Sequence, residues 1–593
     1  MWKTSVTTLR GQESDRPKQT TYHAPDTKIS SFPTLTRKWA MMAPNMLGAR
    51  SRPFLPLAAL CLASCLSEAD EPRTPKHVVL IVVDTLRADH LSAYGYDLPT
   101  SPRLDELTAD GVRFERAYSQ SSWTSPSMVS IMTGRYLKKE RLSLPSELPV
   151  IAELFQSAGY ATGAFIHNPI INTDNGFQRG FDLFNCPTGS THNKPVKGYP
   201  KVEPAAAWIS EHADKPTFTY VHYSDPHSPY GPQRRERQRW MRDPPALHPE
   251  LEEYLRSYEG RPEERLGQLE PSLEQIRVSI AGYNDDVLQS DLRIGQIIDA
   301  LRENGLYEEA VIVVTSDHGE GLWTREESWG GTLRRQRRAS GRKISLYDLM
   351  KKGHGIHLHK ELIHVPLIVK GPELLPTSID SAVECVDLFP TLVELCELPR
   401  PDALQGRSLL DAIEDKSSWE SSRPFAFSST RFSSTVVTQD GWQLILPSEL
   451  GECQESMGTE LYHLPSDPFE RNNLAAEHPE LVEQLTEYIT ARLDMGLDGD
   501  AREDITFTPT NQDALLALGY IDDGIVEAAI STLSERSIDS MLNEYVSSAC
   551  VLRLEIAREL TKRELSDEQR ARVGELLEGE GSQLIYDVLR TVL

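Results

Sequence analysis

Two runs of apolar, mostly β-branched residues in this chain end in a carboxylate. His77-Val78-Val79-Leu80-Ile81-Val82-Val83 leads into Asp84, and Val311-Ile312-Val313-Val314-Thr315-Ser316 leads into Asp317-His318. Thr217 to Val221 and Val365 to Val369 are similar runs. A strand with one wet face alternates apolar and polar residues. Runs without alternation suit strands buried on both faces of a parallel sheet. Between them lie helical patterns, the clearest from about Leu273 to Arg302. Its stripe is Ile276, Ile280, Tyr283, Val287, Leu288, Leu292, Ile297, Ile298 and Leu301, with Gly305 as a stop. Strands alternating with helices predict an α/β fold: a doubly wound, mostly parallel sheet flanked by helices. In such sheets ligands bind beyond the carboxyl ends of the strands, where Asp84, Asp317 and His318 fall.

The remaining sequence bounds the organisation. At 593 residues the chain is long enough for a few domains. Its 62 basic and 88 acidic residues give a net charge of −26, which argues against nucleic acid as a partner. No apolar run reaches spanning length. Seven Cys without a CxxC pair exclude a disulfide-built scaffold and a zinc ribbon. Val436-Val437, Trp442 to Leu446 and Glu460 to Leu464 predict a small antiparallel sheet, followed by a helix from His478 to Leu493. The expected division is a leader over 1–65, a catalytic domain over 76–425, a C-terminal antiparallel α+β subdomain over 426–523 and a helical tail over 524–593.

The leader reads as an export signal. Arg50 and Arg52 precede the apolar stretch Leu55 to Leu62, and Leu62-Ala63-Ser64-Cys65 resembles a bacterial lipobox. On that reading Cys65 is lipidated, and the protein is exported to the periplasm or cell surface as an outer-membrane lipoprotein. Signal initiation at Met41, Met42 or Met46 would make residues 1–40 a misassigned start. Five Cys follow Cys65, so in an oxidising compartment at least one is unpaired or intermolecular.

Three groups of residues carry chemistry. Asp84, Asp317 and His318 are oxygen and imidazole donors suited to a divalent cation, with Ca, Mn, Zn and Mg all compatible. Any one alone reads as a strand-end cap; two carboxylate-ended strands point to a metal site. Second, in Trp123-Thr124-Ser125-Pro126-Ser127-Met128, Ser125 is expected to be the N-cap and Pro126 the first helical residue, with Gly134 closing the helix. Thr124 then sits at a helix N-terminus, where amides and dipole favour an anion, and its hydroxyl is a candidate nucleophile. Third, His222 and His227 flank the end of the Thr217–Val221 run, and His354 lies in Gly353-His354-Gly355. Such imidazoles can hold an anionic group or protonate a leaving oxygen.

From Lys76 to Tyr520 the chain resembles the sulfatase family of the alkaline phosphatase superfamily. The matching segments are VVLIVVDTLRADHLSAYGY, TSPRLDELTADGVRFERAY, WTSPSMVSIMTG, GFQRGFD, YVHYSDPHSPY, VTSDHGE, ELIHVPLIVKGP, DLFPTL, GRSLL and ELYHLPSDPFERNNL. The resemblance implies Asp84, Asp317 and His318 as metal ligands. Thr85 stands where many relatives have a second ligating Asp. Thr124 falls at the nucleophile position, which in sulfatases is a Cys or Ser oxidised to formylglycine within C/S-x-P-x-R. Here Thr124 replaces the first residue and Met128 the Arg, so no formylglycine is expected. Ile166-His167-Asn168-Pro169 aligns with the family's Gly-Lys-x-His, which makes His167 and Asn168 substrate-binding candidates. His227 matches a histidine on the substrate's anionic group, and His354 lies near a later substrate-binding Lys or His.

Superfamily members with a Thr nucleophile act on phosphorus and use an Asp, Thr, Asp, His metal set, which Asp84, Thr124, Asp317 and His318 reproduce. The resemblance therefore implies a metal-dependent hydrolase of sulfate esters or related anionic esters. The alternatives are a phosphodiester or phosphonate hydrolase, a phospho-group transferase, and an inactive glycan-binding module. The expected partner is a sulfated or phosphorylated small molecule, glycan or lipid head group. The basic cluster Arg334, Arg335, Arg337, Arg338, Arg342 and Lys343, within 321–353, reads as a solvated loop or a hold for an anionic polymer.

Overall fold

The computed structural model describes residues 76–496, apart from 138–140, 187–202, 233–236, 258–271, 327–349, 356 and 449–457, and scattered positions between 537 and 578. The leader with Cys65, the basic cluster 334–343 and most of the tail lie outside the described residues. A helix over Asp567–Glu578 is described within the tail. No helix among the described residues is long and apolar enough to cross a membrane.

In chain order the strands are β1 (His77–Val83), β2 (Val112–Tyr118), β3 (Ala161–Ile166), β4 (Leu183–Asn185), β5 (Thr217–Tyr223), β6 (Ala310–Thr315), β7 (Gly321–Glu326), β8 (Met350–Gly353), β9 (His364–Lys370), β10 (Thr377–Glu384), β11 (Phe425–Ser429), β12 (Ser433–Thr438), β13 (Trp442–Pro447) and β14 (Glu460–His463). Eight of them form one sheet in the order β10-β2-β9-β6-β1-β5-β3-β4. The unalternated run of β1 is explained by burial on two faces. Val78, Leu80 and Val82 enter one apolar cluster, whereas Val79, Ile81 and Val83 enter the other. β1 pairs in parallel with β5 and β6, and β5 with β3.

The run at 364–370 departs from expectation. β9 is antiparallel to both β6 and β2. An apolar run reports burial on two faces and carries no information about direction.

The long helix spans Leu273–Glu303, started by a Ser272–Gln275 capping box. Leu292, expected on its buried stripe, is 45% exposed. The inward place is taken by Asp291, whose carboxylate accepts from the backbone N–H groups of Arg103 and Leu104 at the start of the helix Pro102–Ala109. An unsatisfied helix N-terminus thus outcompetes a leucine for the buried position.

β11 to β14 form the small antiparallel sheet, and the helix Pro479–Met495 packs Leu485 and Ile489 into its core. The sheet begins at Phe425. The buried Arg423 guanidinium just before it ion-pairs with Glu384 and Asp387 at the end of β10.

Candidate active site

The parallel strands β6, β1, β5 and β3 lie side by side, and their carboxyl ends deliver Asp317, Asp84, His222 and Asn168 to one place. Strand register explains this: Val82 pairs with both His222 and Thr315, and Ile166 pairs with His222. Asp84, His222, Asp317 and His318 are all fully buried.

The two carboxylates are each held on one oxygen. Asn168 Nδ2 donates to Asp84 Oδ2 at 2.7 Å. Asp317 Oδ1 accepts from its neighbour's backbone, His318 N at 2.9 Å, and from Thr85 N at 3.3 Å. The opposite oxygens, Asp84 Oδ1 and Asp317 Oδ2, have no hydrogen-bond partner, and both lie 3.5 Å from His318 Nε2. The His318 tautomer follows from its other nitrogen. Nδ1 is 2.8 Å from the Gly319 carbonyl oxygen, so it carries the proton and donates it. Nε2 therefore presents a lone pair to two carboxylate oxygens. Burial, with the Asp317 and Glu320 charges added, raises the Asp84 carboxyl well above its usual range. Converging buried lone pairs of this kind fit a cation, and Asp84, Asp317 and His222 offer atoms within 4.8 Å of one another.

Thr85 does not take the place of a second ligating carboxylate. Its φ is +59°, and its hydroxyl donates to the Asp84 carbonyl at 2.7 Å. The conformation is costly for a β-branched residue. It is held by Tyr283, whose hydroxyl donates to the Thr85 carbonyl at 2.7 Å.

The helix that carries the candidate nucleophile spans Thr124–Thr133, and all ten residues are buried. It starts earlier than expected: extended Trp123 is the N-cap, Thr124 the first helical residue and Pro126 the third. Proline costs nothing in a first turn, because its missing N–H would have had no intrahelical partner there. Thr124 Oγ1 lies 3.3 Å from His318 Nε2 and 3.4 Å from Asn168 Nδ2. Ser125 is tied elsewhere, its hydroxyl donating to the Leu142 carbonyl at 2.7 Å. Gly134 closes the helix at φ +66°, as expected.

The other imidazoles pack edge-on or tilted beside this cluster. The His354 ring centroid is 4.3 Å from that of His318 and 4.9 Å from that of His227, and its Nδ1 is 3.1 Å from Glu320 Oε1. Burial lowers His227 to about 4, with His354 adding to the effect, so its ring is neutral at pH 7. His167 contacts other groups: Nδ1 is 3.5 Å from Arg293 Nη2 and its ring stacks on Tyr223. Its neighbour Asn168 reaches Asp84 and Thr124.

One residue at the site falls outside the expected set, and one expected residue takes a different place. Glu320 is a fully buried carboxylate directly behind Asp317-His318-Gly319. Its signal was a Glu after a strand-end cluster. His222, expected as an anion-holding or proton-donating imidazole, lies against the acidic centre, its Nε2 3.8 Å from Asp317 Oδ2. Among the described residues, Cys385 and Cys396 are buried free thiols.

Comparison with known proteins places this geometry in a family. The sulfatase family model matches residues 76–398, and the model of the N-sulphoglucosamine sulphohydrolase C-terminal region matches 354–495. An ulvan-active sulfatase of Formosa agariphila is 25% identical over 414 residues, covering 63% of this chain and 73% of that protein. An N-acetylgalactosamine-6-O-sulfatase of Bacteroides thetaiotaomicron is 21% identical over 549 residues, covering 74% and 98%. The phosphonate monoester hydrolase of Silicibacter pomeroyi shares the fold, with a TM-score of 0.52 at 21% identity over 73% of this chain and 97% of that one. With more than half of its length matched by the family model and its strand ends converging on one acidic centre, the chain belongs to the sulfatase family of ester hydrolases.

Proposed function

We propose that the protein is a metal-dependent hydrolase of sulfate esters on small molecules or glycans, with Thr124 as nucleophile. The observation that carries this reading is the position of the Thr124 hydroxyl, within 3.4 Å of both His318 Nε2 and Asn168 Nδ2 at the first turn of a buried helix. Asp84, Asp317 and His318 would hold the divalent cation, with Thr124 beside them, and a bound cation would supply Lewis acidity. Asn168 orients Asp84 and the attacking oxygen together. Thr124 gives up its hydroxyl proton to solvent and attacks sulfur in line; its oxygen–sulfur bond forms as the bond to the alcohol oxygen breaks. His227 and His354 are the candidate proton donors to that leaving oxygen, since an imidazole carries an N–H in either protonation state. Water then cleaves the threonine ester and restores the hydroxyl. The sugar-sulfate relatives support a sulfated glycan as substrate.

A phosphodiester or phosphonate substrate is the second reading, and Thr124 itself favours it. A formylglycine hydrate expels sulfate by elimination, whereas a threonine ester must be hydrolysed directly. One assay tests both: the purified protein with Mn, Zn, Mg or Ca, offered aryl sulfate, aryl phosphodiester and aryl phosphonate, beside Thr124→Ala. Sulfate turnover lost in Thr124→Ala supports the first reading. Turnover of phosphorus esters alone replaces it with the second. Glycan binding without turnover under any metal replaces both with a binding module.

A further inference from the structure

We infer that His222 is itself a ligand of the cation, so that the site is a two-imidazole, two-carboxylate centre selecting a transition metal over Ca or Mg. The inference rests on the reading of Asp84, Asp317 and His318 as the groups that hold the ion.

His222 is fully buried near the end of β5, and its Nε2 has no hydrogen-bond partner. The nearest acceptor, Asp317 Oδ2, is 3.8 Å away, too far for a hydrogen bond. Leaving a buried ring nitrogen unpaired costs on the order of 1–3 kcal/mol. The same is true of Asp84 Oδ1 and Asp317 Oδ2, so three buried atoms on three adjacent strands share one deficiency. One cation among them satisfies all three.

The far side of the ring is built for this. His222 Nδ1 lies 2.7 Å from the Tyr220 hydroxyl. The Tyr220 hydroxyl has its own acceptor in Met128 Sδ, at 4.0 Å. With its proton aimed at the sulfur, the Tyr220 oxygen accepts from Nδ1–H, and the Nε2 lone pair faces the carboxylates. This is how metal-binding histidines are oriented, by a partner on the second nitrogen. Met128 occupies the place of the arginine in the sulfatase motif. A guanidinium there could only donate to the Tyr220 oxygen, and a neutral thioether leaves that oxygen available to the imidazole. Two nitrogens and two carboxylate oxygens suit Zn, whereas Ca and Mg prefer an all-oxygen shell.

The test uses the full-length protein stripped with a chelator and reloaded with Zn(II). X-ray absorption at the Zn edge is expected to show two imidazoles in the wild type and one in His222→Gln. Titration with Co(II) is expected to weaken on the order of a hundredfold in His222→Gln and about tenfold in Tyr220→Phe. In competition, the preference for Zn over Ca is expected to fall in both variants. A single imidazole in wild-type protein overturns the inference without needing any variant to fold, and leaves the three-residue cation site standing. Failure to bind any of these ions overturns both.

Discussion

The Thr124 hydroxyl and the His318 ring meet at 3.3 Å through an imidazole nitrogen that carries no proton. The Gly319 carbonyl fixes that tautomer, so Nε2 can only accept from Thr124 or bind a cation. Thr124→Ala should lower kcat by about a thousandfold or more, and Thr124→Ser should recover most of it, because only the hydroxyl is needed. Steady-state kinetics on the best aryl ester measures both. Mass spectrometry of the tryptic peptide 117–135 should read unmodified Thr124 and Ser125; a ketone at Thr124 or an aldehyde at Ser125 would replace the proposed nucleophile.

Asn168 joins the two halves of the site, donating to Asp84 Oδ2 and standing 3.4 Å from Thr124 Oγ1. Asn168→Ala should cost roughly ten- to a hundredfold in cation affinity or kcat, with a smaller change in KM. Asn168→Asp should cost more, because it sets a third carboxylate beside two that are already buried. Cation titration by calorimetry separates this from loss of substrate binding, which would appear in KM alone.

Gly319 is fixed by a close backbone approach. A Cβ there would lie 2.0 Å from the Glu361 carbonyl oxygen, and the Gly319 N–H already donates to the Leu362 carbonyl at 2.7 Å. Neither backbone can withdraw without moving His318. Gly319→Ala should lose on the order of 3 kcal/mol of stability along with activity. Chemical denaturation of the apoprotein reads the loss directly; an unchanged midpoint would mean that the 361–363 segment yields.

Acid should destabilise the fold through a buried histidine. His90 is buried, and burial, with the Arg87 charge adding, lowers its pKa to about 4; Nδ1 lies 2.8 Å from the Asn284 amide oxygen. In the unfolded chain the ring titrates near 6.5. Between those values the unfolded state binds the proton and the folded state does not. The stability is therefore complete above about pH 6.5 and drains as pH falls toward 4, by about 2–3 kcal/mol. Unfolding midpoints at pH 7.5 and 4.5 should differ less in His90→Asn than in the wild type.

The carboxylate-ended strands were readable because burial on both faces leaves a local mark, an apolar run without alternation, and its end marks where polar chemistry starts. The same mark could not tell that β9 runs antiparallel to its neighbours. The triplet Asn284-Asp285-Asp286 shows the converse limit. In a helix sequence it reads as a solvated face, yet all three residues are buried. Asp285 accepts from the backbone N–H groups of Arg239, Trp240 and Met241, and Asp286 from that of Gly231. They pin the loop that follows His227, and nothing local distinguishes a carboxylate facing water from one facing a loop's amides.

The sequence by itself determined the α/β class, the strand ends bearing Asp84 and Asp317, and the family, because each is written in contiguous residues. Only the tertiary structure decided which atoms share a point in space: that His222 joins the acidic centre, that Thr124 opens its helix with its hydroxyl on His318, and that Ser125 is committed to Leu142. Those outcomes depend on strand register and on competition for hydrogen-bond partners far apart in the chain.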